Sequence, residues 1–230
     1  MEEIIIGLGL MANVLFSPVN SSSANLALNE TVLASHTMSL ETRHPVPSVN
    51  EVFSDNILFA LHYFKGDEAS MRLDEAKPMA SSVDWEKVRE PFEFEIELKS
   101  GETFAFHKNL LPEFKKDLVK AGRSSFSYDD GYKAIAGLYG NGVCHLASLI
   151  KWVVSDAQFE GKKLGLVSRV NHDFAPVPEI DRKYGVSIYY APDGSRGSAS
   201  QNLYVTNIHS FPIKLVFKAD KSKVEFKIVK

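Results

Sequence analysis

The only cysteine of the chain, Cys144, stands directly behind a glycine-rich turn, Gly140-Asn141-Gly142-Val143. Apolar residues at helical spacing follow it: Leu146, Leu149, Ile150, Val153 and Ala157. A cysteine so placed begins a helix, where the helix dipole favours a thiolate and unpaired backbone N–H groups can hold an oxyanion. Gly142, Val143 and His145 are the residues that would form that hole. A nucleophilic thiol also needs a base within hydrogen-bond reach. His145 is adjacent, but neighbouring side chains on a helix diverge by about 100°. His172, at the end of a strand expected over Leu164–Val170, is the better partner. Asp173 could orient the imidazole, although on an extended strand it points to the opposite face. Arg169, Asn171, Asn202 and Asn207 are the remaining polar groups that could support the pair. The opposing reading is that Cys144 is a small buried hydrophobe and His172 a structural hydrogen-bonding residue. The residues by themselves leave both readings open.

A lone cysteine makes no internal disulfide, and the seven histidines form no HExxH-like or Cys/His pairing, so neither a metal nor a cofactor is expected. A formal net charge of −3, with lysine and arginine scattered, gives no electrostatic reason to expect nucleic acid. At 230 residues and 44% hydrophobic content the chain can bury one sizeable core. The apolar stretch from Ile4 to Phe16 is shorter than the roughly 20 residues of a membrane span. It suits the apolar region of an export signal, with small residues at Ser21-Ser22-Ser23-Ala24 behind it and the acidic Glu2-Glu3 unusual ahead of it. Residues 1–24 are therefore read as an export segment and the only part expected to meet a membrane.

The elements that must position the cysteine follow. Residues 25–91 are expected to hold a linker, a short strand, a helix and a polar surface insertion. The helix begins in a capping-box pattern, Ser48 to Glu51, carries Val49, Val52, Phe53, Ile57, Ala60, Leu61 and Phe64 on one face, and ends at Gly66. The insertion covers 66–90. Residues 92–230 form the main domain. Phe92, Phe94, Ile96 and Leu98 alternate with charged residues and predict a strand; Ser100-Gly101-Glu102 turns into a second strand over 103–106. Asn109 is expected to cap a helix with Leu111, Phe114 and Leu118 on one face, ending at Gly122. Strands are predicted over Val186–Tyr190, Leu203–Asn207, Ile213–Ala219 and Val224–Val229. The order gives an α+β fold: a glycine-led, cysteine-bearing helix on a largely antiparallel sheet, closed by a C-terminal β meander. Tyr189, Tyr190 and Tyr204, with the flexible loop at 193–198, could make a polar-aromatic binding face.

Five segments in order resemble the VanW-like family: Lys99 to His107 (KSGETFAFH), Gly131-Tyr132, Gly140 to Ser148 (GNGVCHLAS), Arg169-Val170-Asn171-His172, and Asn202 to Asn207 (NLYVTN) with Pro212. The resemblance covers residues 97–217. It implies an extracytoplasmic, cell-envelope setting and peptidoglycan or another wall polymer as partner, without implying one reaction. The chain departs from the family pattern at His145, where glutamine is usual, at Gly185, where an acid is usual, and in the 66–90 insertion. The Cys-helix-then-His order is also similar, at the level of fold, to transglutaminase-like cysteine folds. Two functions follow from these readings. One is a thiol hydrolase or transferase acting on wall amides through Cys144 and His172; the other is a non-catalytic wall-binding or scaffolding module.

Overall fold

In a computed structural model, the described residues are 30–168, 177–188 and 199–230. Twelve strands and three helices are assigned among them. The chain enters through β1 (Val32–Ser39) and passes into α1 (Pro47–Lys65). A one-turn α2 (Trp85–Val88) precedes β2 (Phe92–Leu98), β3 (Thr103–Ala105) and β4 (Leu118–Ala121). The small hairpin of β5 (Ala134–Ile135) and β6 (Leu138–Tyr139) leads into α3 (Val143–Asp156). A second small hairpin joins β7 (Gln158–Phe159) to β8 (Lys162–Lys163), and β9 (Gly165–Ser168) follows. β10 (Leu203–Thr206), β11 (Ile213–Ala219) and β12 (Lys223–Val229) complete the chain.

Two four-stranded sheets result. The first has the order β1-β12-β11-β2 and is antiparallel throughout. The second has the order β4-β3-β10-β9, with β4 parallel to β3 and the other pairs antiparallel. The fold is thus α+β and largely antiparallel, as the order of elements predicts. Residues 92–106 do not form a hairpin, however: β2 pairs with β11 and β3 with β10, so the turn at Gly101 carries the chain from one sheet to the other. It is held there by two exchanges with Asn207, whose carbonyl accepts from Gly101 N at 2.8 Å and whose N–H donates to Glu102 O at 3.0 Å.

α3 lies at the centre, packed on β1 and β12 and against α1, β9 and β10. Leu146, Leu149, Ile150 and Val153 are wholly buried on it, each contributing about 1.5–3 kcal/mol relative to exposure. The second half of α1, Ser54 to Phe64, is buried on all sides. Phe64 meets Phe104, Phe106 and Phe217, joining both sheets through one aromatic cluster. Residues 32–91 therefore share a single core with the remainder, since β1 is an outer strand of the first sheet and Met38, Leu58 and Val88 belong to that core.

Four local expectations need correction. α1 has no capping box: Val46 occupies the N-cap without a side-chain bond and Pro47 fills the first turn, while Glu51 is drawn to basic partners elsewhere. The 66–90 segment is more than a surface insertion, because Met71, Ser82, Val83 and Val88 are buried and Arg72 bridges to Val83. No helix spans 109–122. A single tight turn at Pro112–Phe114 precedes β4, whose pairing to β3 replaces the helix. Residues 186–188 carry no strand, and the rest of that segment lies outside the described residues. Among the described residues no helix is long and apolar enough to cross a membrane; the stretch 4–24 lies outside them.

Candidate functional site

Gly142 is the N-cap of α3, at φ 101°. A Cβ built there would stand 2.5 Å from the carbonyl oxygen of Phe53 on α1. The turn before Cys144 is thus glycine because α1 runs against it, and that contact sets where α3 begins. Gly140, at φ 69°, is similarly pressed on Phe126.

Cys144 is the second residue of α3 and keeps part of its surface exposed. Its sulfur lies against the backbone of Ile188: Sγ accepts from Ile188 N at 3.4 Å and lies 3.8 Å from Ile188 O. One turn on, Ser148 Oγ accepts from Val186 N at 3.0 Å and donates to Cys144 O at 2.8 Å. Side chains four apart on α3 thus bind alternate residues of one extended segment. Burial pushes the thiol pKa up, with the backbone N–H groups of Ile188 and of Cys144 itself pulling the other way. A helix amino terminus favours an anion by only about 0.3–1 kcal/mol at the surface, and here burial prevails. The neutral thiol is the favoured form at neutral pH.

Two of the three expected oxyanion donors are taken up by the helix start. Val143 N donates to Gly140 O at 3.2 Å and His145 N to Gly142 O at 2.8 Å, so both donors are committed to the helix start. His145 diverges from Cys144, as helical geometry requires. Its ring lies edge-on to Phe53 with centroids 5.4 Å apart, and only 5% of the residue is exposed. Burial first, and the nearby Arg43 second, push its pKa down to about 4, so it is neutral above that range.

Arg169, Asn171, His172 and Asp173 lie outside the described residues. Asn202 and Asn207 are described, and both are spent on main chain. Asn202 accepts from His107 N and Leu203 N, and donates to His107 O and Asn109 O, over 2.7–3.2 Å. Asn207 donates to Leu98 O and Phe211 O and accepts from His209 N, over 2.8–2.9 Å. They stitch β10 to the flanks of β3 and β2 and have no amide group left for a catalytic pair. Tyr204 is buried rather than displayed: its hydroxyl donates to Ala199 O and accepts from Leu111 N, and its ring stacks on Phe114 at 4.0 Å. Tyr189 and Tyr190 lie outside the described residues. Two segments of the VanW resemblance, 99–107 and 202–207, are therefore paired neighbours whose polar residues hold the fold.

Sequence reasoning missed two charged groupings. Arg43 is 3% exposed; its Nη2 donates to both carboxylate oxygens of Glu179 at 2.5 and 2.6 Å, while Nε and Nη1 are buried without a hydrogen-bond partner. The second lies beside the first turns of α1. Asp55, 2% exposed, receives Arg89 through Nε and Nη2, each at 2.8 Å, and also Lys133. Glu51 joins both cations, at 2.8 Å from Arg89 and 3.3 Å from Lys133. Lys133 lowers the pKa of Glu51, by hydrogen bond first and by charge second. Lys133 also sits 4.5 Å above the ring of Trp85. A cavity of about 340 Å³ opens beside this network, lined by Glu41, Asn50, Glu51, Asp55, Arg89 and Lys221 among others. The i, i+4 spacing of Glu51 and Asp55 was the one signal in the sequence; their partners come from distant segments. Among the described residues no group of three or more His, Cys, Asp or Glu could hold a metal ion.

Comparison with known proteins returns no matching family model, no matching curated protein and no matching solved structure. The VanW resemblance rests on its five segments alone.

Proposed function

We propose that this chain is a cell-envelope domain of the VanW-like kind that binds a wall polymer or scaffolds its assembly without cleaving it. One observation carries the reading: the thiol of Cys144 is bound to the backbone of Ile188 and its pKa is pushed up by burial. A cysteine in that state is a packing group that ties α3 to a neighbouring segment. The commitment of two of the three expected oxyanion donors, Val143 N and His145 N, to the helix start points the same way. An extracytoplasmic setting and peptidoglycan as partner come from the resemblance.

The second reading, a thiol hydrolase or transferase with Cys144 attacking and His172 moving the proton, is favoured by the position of Cys144 in the first turn of α3. The two separate on iodoacetamide alkylation followed across pH, with purified peptidoglycan as binding partner. The module predicts a native Cys144 that is unreactive until unfolding, and wall binding undiminished in Cys144→Ser. Alkylation persisting well below neutral pH and lost in His172→Ala, or turnover of wall amides lost in Cys144→Ser, would overturn it.

A further inference from the structure

Arg43 follows β1 with its side chain wholly enclosed, yet most of its donors go unused. Nη2 alone meets protein, giving to both carboxylate oxygens of Glu179 at 2.5 and 2.6 Å. Nε and Nη1, which carry most of the N–H groups of a guanidinium, have no hydrogen-bond partner among the described residues. Buried donors of a charged group are costly to leave unmet, and native folds seldom do so without a use for them.

The carboxylate seated on Arg43 is movable. The Glu179 side chain is 32% exposed, against 0% for Arg43. Glu179 stands in a turn fixed by its neighbours: Val177 and Ile180 are buried in the core, and Ile180 N donates to Val177 O at 3.3 Å and to Pro178 O at 2.8 Å. The Glu179 backbone is held at φ 55°, in the left-handed region that glutamate seldom adopts, so these anchors impose the turn. The side chain can therefore swing into solvent while the turn stays docked. It would leave behind an uncovered guanidinium and, beside it, the N–H of Ser39, which in the closed state gives to Glu179 Oε1 at 3.1 Å.

We propose that Arg43 and the Ser39 N–H form a binding site for a phosphate-type oxyanion, closed in the free protein by Glu179 as an internal substitute. The Glu179 carboxylate places both of its oxygens on Nη2 and leaves the other nitrogens bare. A tetrahedral oxyanion has further oxygens for Nε or Nη1 while keeping Nη2 and Ser39 N, and the planar fork of arginine suits it. The exchange brings one anion as another leaves, so the buried cation is never left alone. The phosphate is either a free ion or a group borne on a polymer, since the same contacts serve both. The site goes beyond the wall-binding reading and holds without it.

The test is a titration of the full chain with sodium phosphate at constant ionic strength, followed by the Nε–H resonance of Arg43 and the amides of Ser39 and Glu179. Phosphate should shift all three, and an equal amount of chloride should shift none. Glu179→Gln removes the competing anion, so phosphate should bind that variant roughly tenfold more tightly. Phosphate should also raise its melting temperature more than that of the unaltered chain. A purely structural ion pair predicts a destabilised variant that phosphate and chloride help alike. No shift at the Arg43 Nε–H up to roughly 50 mM phosphate, binding confined to the variant, or equal effects of phosphate and chloride would overturn the site. Should the variant fail to fold, the titration of the unaltered chain decides alone. Dimethyl phosphate separates the two sources: a site for a phosphodiester chain binds it as well as phosphate, and a site for a free or terminal phosphate binds it more weakly. Loss of peptidoglycan binding in the pull-down, with phosphate still bound here, would remove the wall-binding reading alone.

Discussion

The starts of α1 and α3 lie side by side, with Gly142 pressed on Phe53, yet they handle polar groups in opposite ways. At the start of α3 the polar groups are engaged by neighbouring protein: the thiol of Cys144 meets Ile188, Ser148 meets Val186, and His145 is buried against Phe53. At α1 the polar residues Asn50 and Ser54 are likewise spent on Leu40 O, but Glu51 and its neighbours remain at the edge of an open cavity. The difference comes from neighbours. α3 is packed by sheet strands and by the 186–188 segment, whose N–H groups it satisfies, whereas the first turns of α1, besides meeting α3, border the turn between β11 and β12 and leave a cavity open there. A helix start supports chemistry when its polar groups are not needed to satisfy adjacent backbone.

If that contrast is right, the α3 start should be the more brittle of the two. Gly142→Ala combines a strained left-handed backbone with a Cβ driven into Phe53 O, and should cost about 4 kcal/mol in urea unfolding. A loss under about 1 kcal/mol would mean α3 can slide away from α1. On the α1 side, Asp55→Ala should cost about 3 kcal/mol, because it strands Arg89 and Lys133 around a buried position. The partners are each a quarter exposed, which keeps the figure at the lower end of buried-pair losses. Restoration by a second change, Lys133→Met, would confirm that the cost is uncompensated charge.

Acid distinguishes the regions next. The folded pKa of His145, about 4, lies below its unfolded value. Its contribution is therefore whole above about pH 6.5 and lost as pH falls towards 4, amounting to at most about 3 kcal/mol. His145→Gln should flatten that part of the stability profile between pH 7 and 4; an unchanged slope would assign it to other groups. Cys144 works in the opposite direction. Its folded pKa is raised, so its contribution is present below the unfolded thiol range and falls away in alkali. Smallest of all, Glu41→Gln should change stability by less than about 0.5 kcal/mol, since Glu41 has no side-chain partner among the described residues. A larger loss would show that the cavity rim is structural.

Much of the scaffold was legible in local pattern. The alternation of Phe92, Phe94, Ile96 and Leu98 gave β2 to the residue, and the spacing from Leu146 gave α3. Both patterns come from one-sided burial, which leaves its period in the sequence. The same rule misled at 109–122, where Leu111, Phe114 and Leu118 match helical spacing. Phe114 instead stacks on Tyr204, and Leu118–Ala121 pairs in parallel with β3, contacts that depend on β10 arriving from nearly a hundred residues away.

The sequence by itself determined the α+β class, the helix that bears Cys144 and the strands β2, β10, β11 and β12, because backbone hydrogen bonding and apolar period are local properties. Only the tertiary structure decided the chemical state of that cysteine. Its place at a glycine-led helix start argued for a thiolate, but the sulfur lies against the backbone of Ile188 and burial outweighs the dipole. The tertiary structure alone likewise placed Glu41, Glu51, Arg89 and Lys221 around one cavity. Desolvation and charge pairing depend on which distant segments meet, and no spacing along the chain records that.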